Sequence, residues 1–203
     1  MKSASLAPLA LLLCACSGGL RSNLPVAQVY LLRPTWVAGA PATPAPAGSV
    51  QVTSPLAAPG LASDSIVVLR AGERLDYYSA ARWAAPAPGM LQALAIEALR
   101  AAGKFALVES DAGPFASDYV LSLELTHFEA EYSGAGPPSV HVALVCTLGR
   151  RGSGDVIASF TADSRVSADA DHMQAVVAAF ERATGDALSQ LAASVPAPGR
   201  AAR

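Results

Sequence analysis

Apolar and polar residues alternate through Tyr119, Leu121, Leu123 and Leu125, with Ser122, Glu124 and Thr126 between them. A period of two marks a strand with one face toward a core and the other toward solvent. Ser133-Gly134-Ala135-Gly136-Pro137-Pro138 supplies a turn, Ser139 to Leu148 returns, Arg150 to Asp155 reverses the chain, and Val156 to Ala162 runs on. The pattern predicts a β-meander. Upstream, shorter strands are predicted over Gln28 to Arg33, Ser49 to Thr53, Ser65 to Arg70, Glu73 to Tyr78 and Phe105 to Glu109; Ile66-Val67-Val68 is the clearest β-branched run.

Two stretches switch to helical spacing. Leu91, Leu94, Ala95, Ala98, Leu99 and Ala102 form one apolar stripe, with Pro88 near the first turn and Gly103 as a stop. Met173, Val176, Val177, Phe180, Ala187, Leu188, Leu191 and Val195 form a longer one, with Asp169 and Asp171 near its positive N-terminal end. Gly185 weakens that helix by up to ~1 kcal/mol relative to alanine, which suggests close packing at that point. The fold class expected is α/β (mixed α+β): one domain with a mixed, largely antiparallel sheet packed by two main helices.

The first residues follow a different logic. Lys2 and the apolar run Leu6 to Leu13 are too short to span a bilayer but suit a signal peptide. Leu13-Cys14-Ala15-Cys16 resembles a bacterial lipoprotein cleavage box. Cys14 follows the bulky Leu13, whereas Cys16 follows the small Ala15, so Cys16 is the expected lipid attachment site. Each buried methylene of an acyl chain contributes about 0.8 kcal/mol, and two or three chains, palmitate among them, make such an anchor effectively permanent. Ser17, where an aspartate would suggest inner-membrane retention, favours the outer membrane by resemblance to the enteric sorting rule.

The expected organisation is therefore a signal peptide over 1–15, a lipidated tether over 16–25, a periplasmic domain over 26–195 and a disordered tail over 196–203. The Pro/Ala/Gly stretch 38–48 reads as an exposed loop within the domain. The formal charge of −2 moves one unit further negative when Lys2 is removed, and the arginines are scattered. That composition argues against a nucleic-acid footprint and offers no polybasic stripe for anionic lipid. Cys146 alternates with Val140, Val142 and Leu144 and is expected to be a small buried hydrophobe rather than a nucleophile.

Chemistry is sparse. His127, His141 and His172 are not spaced as metal ligands, and no cofactor is expected. Gly152-Ser153-Gly154 reads as a hairpin turn, not a nucleophile elbow. Glu124, His127 and Glu129 lie close along one strand, but alternation puts Glu124 and His127 on opposite faces. Arg150 and Arg151 read as solvated turn charges.

Taken in order, Val29 to Leu32, Ile66-Val67-Val68, Leu75, Tyr77-Tyr78, Ala81-Arg82-Trp83-Ala84, the Leu91 helix, Asp118-Tyr119-Val120-Leu121, Leu125 to Phe128 and Val176 to Ala183 resemble the ABC-type transport auxiliary lipoproteins. The most specific piece is the tyrosine followed by Ala-Arg-Trp; the 38–48 loop departs from the family pattern. The resemblance implies an α/β periplasmic domain that carries out no reaction. It implies an outer-membrane partner for an MCE-domain protein fed by an inner-membrane permease and ATPase, in a system moving lipids or other hydrophobic molecules, and it allows a homo-oligomeric ring. Tyr78, Arg82 and Trp83 have two readings: packing under the following helix, or a partner interface, since tryptophan and arginine are enriched at binding hot spots. A structural or regulatory envelope lipoprotein, such as an assembly factor or an activator of a cell-wall enzyme, is the alternative function.

Overall fold

The computed structural model describes residues 27–36, 47–70 and 74–198. Cys14, Cys16, the tether and most of the 38–48 stretch lie outside the described residues. Elements follow in the order β1 (Gln28–Tyr30), β2 (Ser49–Val52), β3 (Leu56–Ala57), β4 (Ser65–Arg70), β5 (Arg74–Trp83), α1 (Ala87–Ala102), β6 (Leu107–Ser110), β7 (Tyr119–Tyr132), β8 (Ser139–Arg150), β9 (Val156–Ser167) and α2 (Met173–Ser194).

The sheet is organised around β7. On one side β7 pairs antiparallel with β8, and β8 with β9. Its other side is shared along its length: β2 pairs parallel with Tyr119 to Leu121, β3 with Glu124 and Leu125, and β4 with Glu129 to Tyr132. Beyond these, β6 lies parallel to β2, β5 antiparallel to β4, and β1 parallel to β5. The sheet is mixed as expected. The longest ladders are antiparallel, and the parallel pairings join segments distant in the chain.

β7 contains a bulge. Leu125 faces Leu144 and His127 faces Ala143, so Thr126 is the extra residue. Tyr119, Leu121, Leu123 and Leu125 are buried before it, and Phe128 and Ala130 after it. The inward parity thus changes from odd to even, and His127, Glu129 and Glu131 turn to the outer face. Glu124 and His127 therefore share a face, contrary to simple alternation.

Both helices cover the inner face. In α1, Leu91, Ala95, Ala98 and Leu99 are buried, and Gly103 closes the helix at φ 63°, its N–H bonded to the Arg100 carbonyl. In α2 the capping residue is His172, whose Nδ1 accepts from the Ala175 N–H at 3.3 Å. The nearby aspartates are used elsewhere: Asp169 pairs with Arg182, and Asp171 accepts from the Tyr132 hydroxyl. Lys104 Nζ donates to the Ala193 and Val195 carbonyls at 2.7 Å, placing a cation on the negative end of α2. The centre of the core is aromatic: Trp83 meets Phe180 edge-on at 5.1 Å and Phe128 at 5.7 Å.

Two strands run longer than their sequence signals. β5 continues through Ala81-Arg82-Trp83, and β9 reaches Ser167. β3, only two residues, was not foreseen. Among the described residues, no helix is long and apolar enough to cross a membrane.

Candidate functional site

The three residues of the Tyr-Ala-Arg-Trp region do not form one surface. Trp83 is 1% exposed, at the centre of the aromatic core, which favours packing under the helix of the two readings of this residue. Its neighbour Arg82 points to the opposite face by strand alternation and lies exposed, 3.5 Å from Asp64. Such an exposed pair contributes at most about 1 kcal/mol. Tyr78, on β5, is half-buried and shares a 2.9 Å hydrogen bond with Tyr132 at the end of β7.

That tyrosine pair borders an open cleft of about 420 Å³ between β1, β5 and the start of α2, lined by Gln28, Tyr30, Tyr78, Ala81, Asp171 and Met173. The Tyr132 hydroxyl donates to Asp171 Oδ1 at 2.6 Å. Burial and that acceptor both push the Tyr132 phenol far above its ordinary range; burial leads the rise at Tyr78. The cleft is amphipathic: aromatic and aliphatic walls, one carboxylate and neutral phenols. Val29, which alternates with the cleft residues Gln28 and Tyr30, is exposed on the other face, and Leu31 is exposed just beyond β1. A smaller cavity of about 290 Å³, lined by Trp36, Ala98, Lys104, Leu188 and Ala192, lies between the two helices.

The remaining residues singled out by sequence take structural places. Cys146 is fully buried on the inner face, and burial pushes its thiol up to about 12. Arg150 lies over the Tyr119 ring, and Arg151 bonds to Gln51 and to Ser117 Oγ, tying the β8–β9 turn to β2 and β7. Both arginines are exposed at the turn, and each also holds a neighbouring strand or loop in place.

The structure gathers one polar cluster that spacing did not reveal. His127, Glu129 and Glu131 on β7 meet His141 on β8, with one ligand-type atom from each lying within 4.8 Å of the others. Two features assemble it: the bulge at Thr126, and the register that sets Glu129 opposite His141. The sequence carried two signals: the alternation His127-Phe128-Glu129-Ala130-Glu131, and the consecutive polar pair Thr126-His127, after which apolar residues resume at Phe128, Ala130 and Tyr132.

Comparison with known proteins adds the following. The family described as ABC-type transport auxiliary lipoprotein component matches residues 30–194. A crystal structure of a protein from Xanthomonas campestris, of the DUF330 family, is similar with a TM-score of 0.72 and 31% identity, covering 81% of this chain and 92% of that one. A crystal structure of an uncharacterized protein shares the fold with a TM-score of 0.65 at 15% identity, over 84% of this chain and 99% of that one. No curated protein sequence matches the chain.

Proposed function

The chain belongs to the family of ABC-type transport auxiliary lipoprotein components, and from that premise we propose that it is a non-enzymatic tether anchored through Cys16 to the periplasmic face of the outer membrane. Its role there is to hold the MCE-domain protein of a system that moves lipids or other hydrophobic molecules. Membership itself supplies the coarser statement, that the chain is an envelope lipoprotein serving an ABC-type transport system. The observation that carries the reading is the extent of the match. It starts at Tyr30, the last residue of β1, and ends at Ser194, the last residue of α2, so it takes in nearly the whole described fold.

The surface best suited to the partner is the edge formed by β1 and β5. Tyr78 lines the cleft there, while the register partners Val29 and Arg82 are exposed on the other face of the same edge, and Leu31 is exposed just after β1. Aromatic and aliphatic groups next to a few polar ones are the composition of a binding interface. Arrangement as a ring is compatible with this role, since each copy would offer one such edge.

A photocrosslinking residue in place of Ser79, within the cleft, tests this in intact envelopes, with Ser153 in the β8–β9 turn as the control position. The reading predicts a crosslink to an MCE-domain protein from position 79 and none from 153. A crosslink to cell-wall enzymes, or equal yields from both positions, would contradict it.

A further inference from the structure

The outer-face cluster on β7 and β8 holds a buried lone pair aimed at two carboxylates. His141 is 3% exposed, and its two ring nitrogens face different partners. Nε2 lies 2.7 Å from Asp163 Oδ2 on β9. A carboxylate accepts only, so Nε2 carries the proton and a neutral His141 presents a bare acceptor at Nδ1. That Nδ1 has no hydrogen-bond partner among the described residues. It points at Glu131 Oε1, 3.3 Å away, and at Glu129 Oε1, 3.7 Å away. Three acceptors facing one another in a buried place repel unless a cation lies between them.

We propose that His127, Glu129, Glu131 and His141 bind one divalent transition-metal ion, with zinc the best match to two imidazoles and two carboxylates. Charge supports a dication. Glu129, Glu131 and Asp163 are acidic, and Arg165, bonded to the other oxygen of Glu131, offsets one of them. Glu129 is held from behind by the Phe128 N–H on Oε2, which leaves Oε1 toward the histidines. That N–H lies between the stretches of β7 paired to β3 and to β4, and the side chain supplies its acceptor.

His127 completes the set. Its ring stacks on His141 with centroids 3.9 Å apart, and its Nδ1 is 2.6 Å from Glu129 Oε1. Metal–nitrogen and metal–oxygen bonds of about 2.0–2.2 Å place tetrahedral ligand atoms roughly 3.3 Å apart. The observed spread therefore closes with small carboxylate and ring movements. On binding, the His127–Glu129 hydrogen bond is exchanged for two bonds to the ion, and a neutral His127 changes tautomer: Nδ1 gives up its proton, Nε2 takes one up from solvent, and the ring stays uncharged. Asp163 takes the outer position of a carboxylate–histidine–metal chain, fixing the tautomer and orientation of His141. With four protein ligands the site is closed, so the ion would staple β7 to β8 rather than do chemistry.

The test is titration of the purified full-length lipoprotein in detergent, stripped with chelator, using zinc alone and then cobalt alone. The expected result is saturable binding of one ion per chain, visible absorption of tetrahedral cobalt, and a higher unfolding temperature with zinc. His127 is half-exposed and its replacement leaves the core intact, so His127→Ala should remain folded by circular dichroism yet bind zinc at least tenfold more weakly. Asp163→Asn should weaken binding by about 10–100-fold, and His172→Ala, outside the cluster, should bind as the parent does. Absence of one-to-one zinc binding in the folded parent would overturn the proposal and leave an imidazolium at His141 as the cation of the cluster. Unchanged affinity in folded His127→Ala would also overturn it.

Discussion

Gly185, in the middle of α2, packs so closely on Thr35 that a Cβ added there would come within 2.5 Å of the Thr35 carbonyl oxygen. Residues just after β1 thereby lie against the long helix, joined also by the Arg33 N–H donating to Glu181. The obstacle is backbone and cannot swing aside. Gly185→Ala gains up to ~1 kcal/mol of helix propensity but overpacks the contact, at about 1–3 kcal/mol. A net loss of stability is expected, read as a lower midpoint in urea with an unchanged slope. A gain would show that the segment shifts freely.

Trp83 separates packing from recognition. Trp83→Ala should cost about 3–5 kcal/mol, as for other buried aromatic truncations. Trp83→Phe should cost less than half as much, because Phe128 and Phe180 still contact the ring and the buried Nε1–H of the tryptophan has no partner among the described residues to lose. Folded Trp83→Phe protein should capture its partner as the parent does. Intact stability in Trp83→Ala with lost partner binding would place the indole at an interface after all.

Alkaline pH should weaken the start of α2. The Tyr132 phenol is raised far above its ordinary value, mainly by burial and by donating to Asp171. A proton held more tightly in the folded state contributes stability that is complete below the unfolded phenol's pKa of about 10 and falls as pH rises above it. Denaturant midpoints should therefore drop less steeply above about pH 10 in Tyr132→Phe than in the parent. Tyrosinate absorbance should show one residue that ionises only on unfolding. Identical pH profiles would remove the tyrosine pair from the stability of this region.

The Cys146 thiol should be inert while the domain is folded, since burial lifts it to about 12. At about pH 8, near the range of a free thiol, the mature protein should take up no thiol reagent until denaturant is added, then one equivalent. Rapid uptake by native protein would indicate a free thiol at Cys16 and contradict its acylation.

Local patterns carried most of the elements. The meander β7–β8–β9 and both helices follow from residues adjacent in sequence, such as Leu121-Ser122-Leu123 or Val176-Val177 with Phe180. The pairings of β2 with β6 and β4 with β7 were not legible, because a parallel partner leaves no turn to mark it. The bulge at Thr126 shows how small a feature can redirect a site. His127, Glu129 and Glu131 share a face by alternation, but the inserted residue turns that face outward, and the register then sets His141 opposite Glu129, so the cluster arises from bulge and register together. In the Tyr-Ala-Arg-Trp region, adjacency suggested a common surface, whereas strand alternation sent Arg82 and Trp83 to opposite faces.

Mild-detergent purification of the tagged lipoprotein from its native membranes, with co-purifying proteins identified by mass spectrometry, tests the central claim most directly. The account predicts an MCE-domain protein, enriched over a control lipoprotein and lost when Cys16→Ala releases the chain from the membrane. Good recovery without any component of an ABC-type system, even after crosslinking, would contradict it.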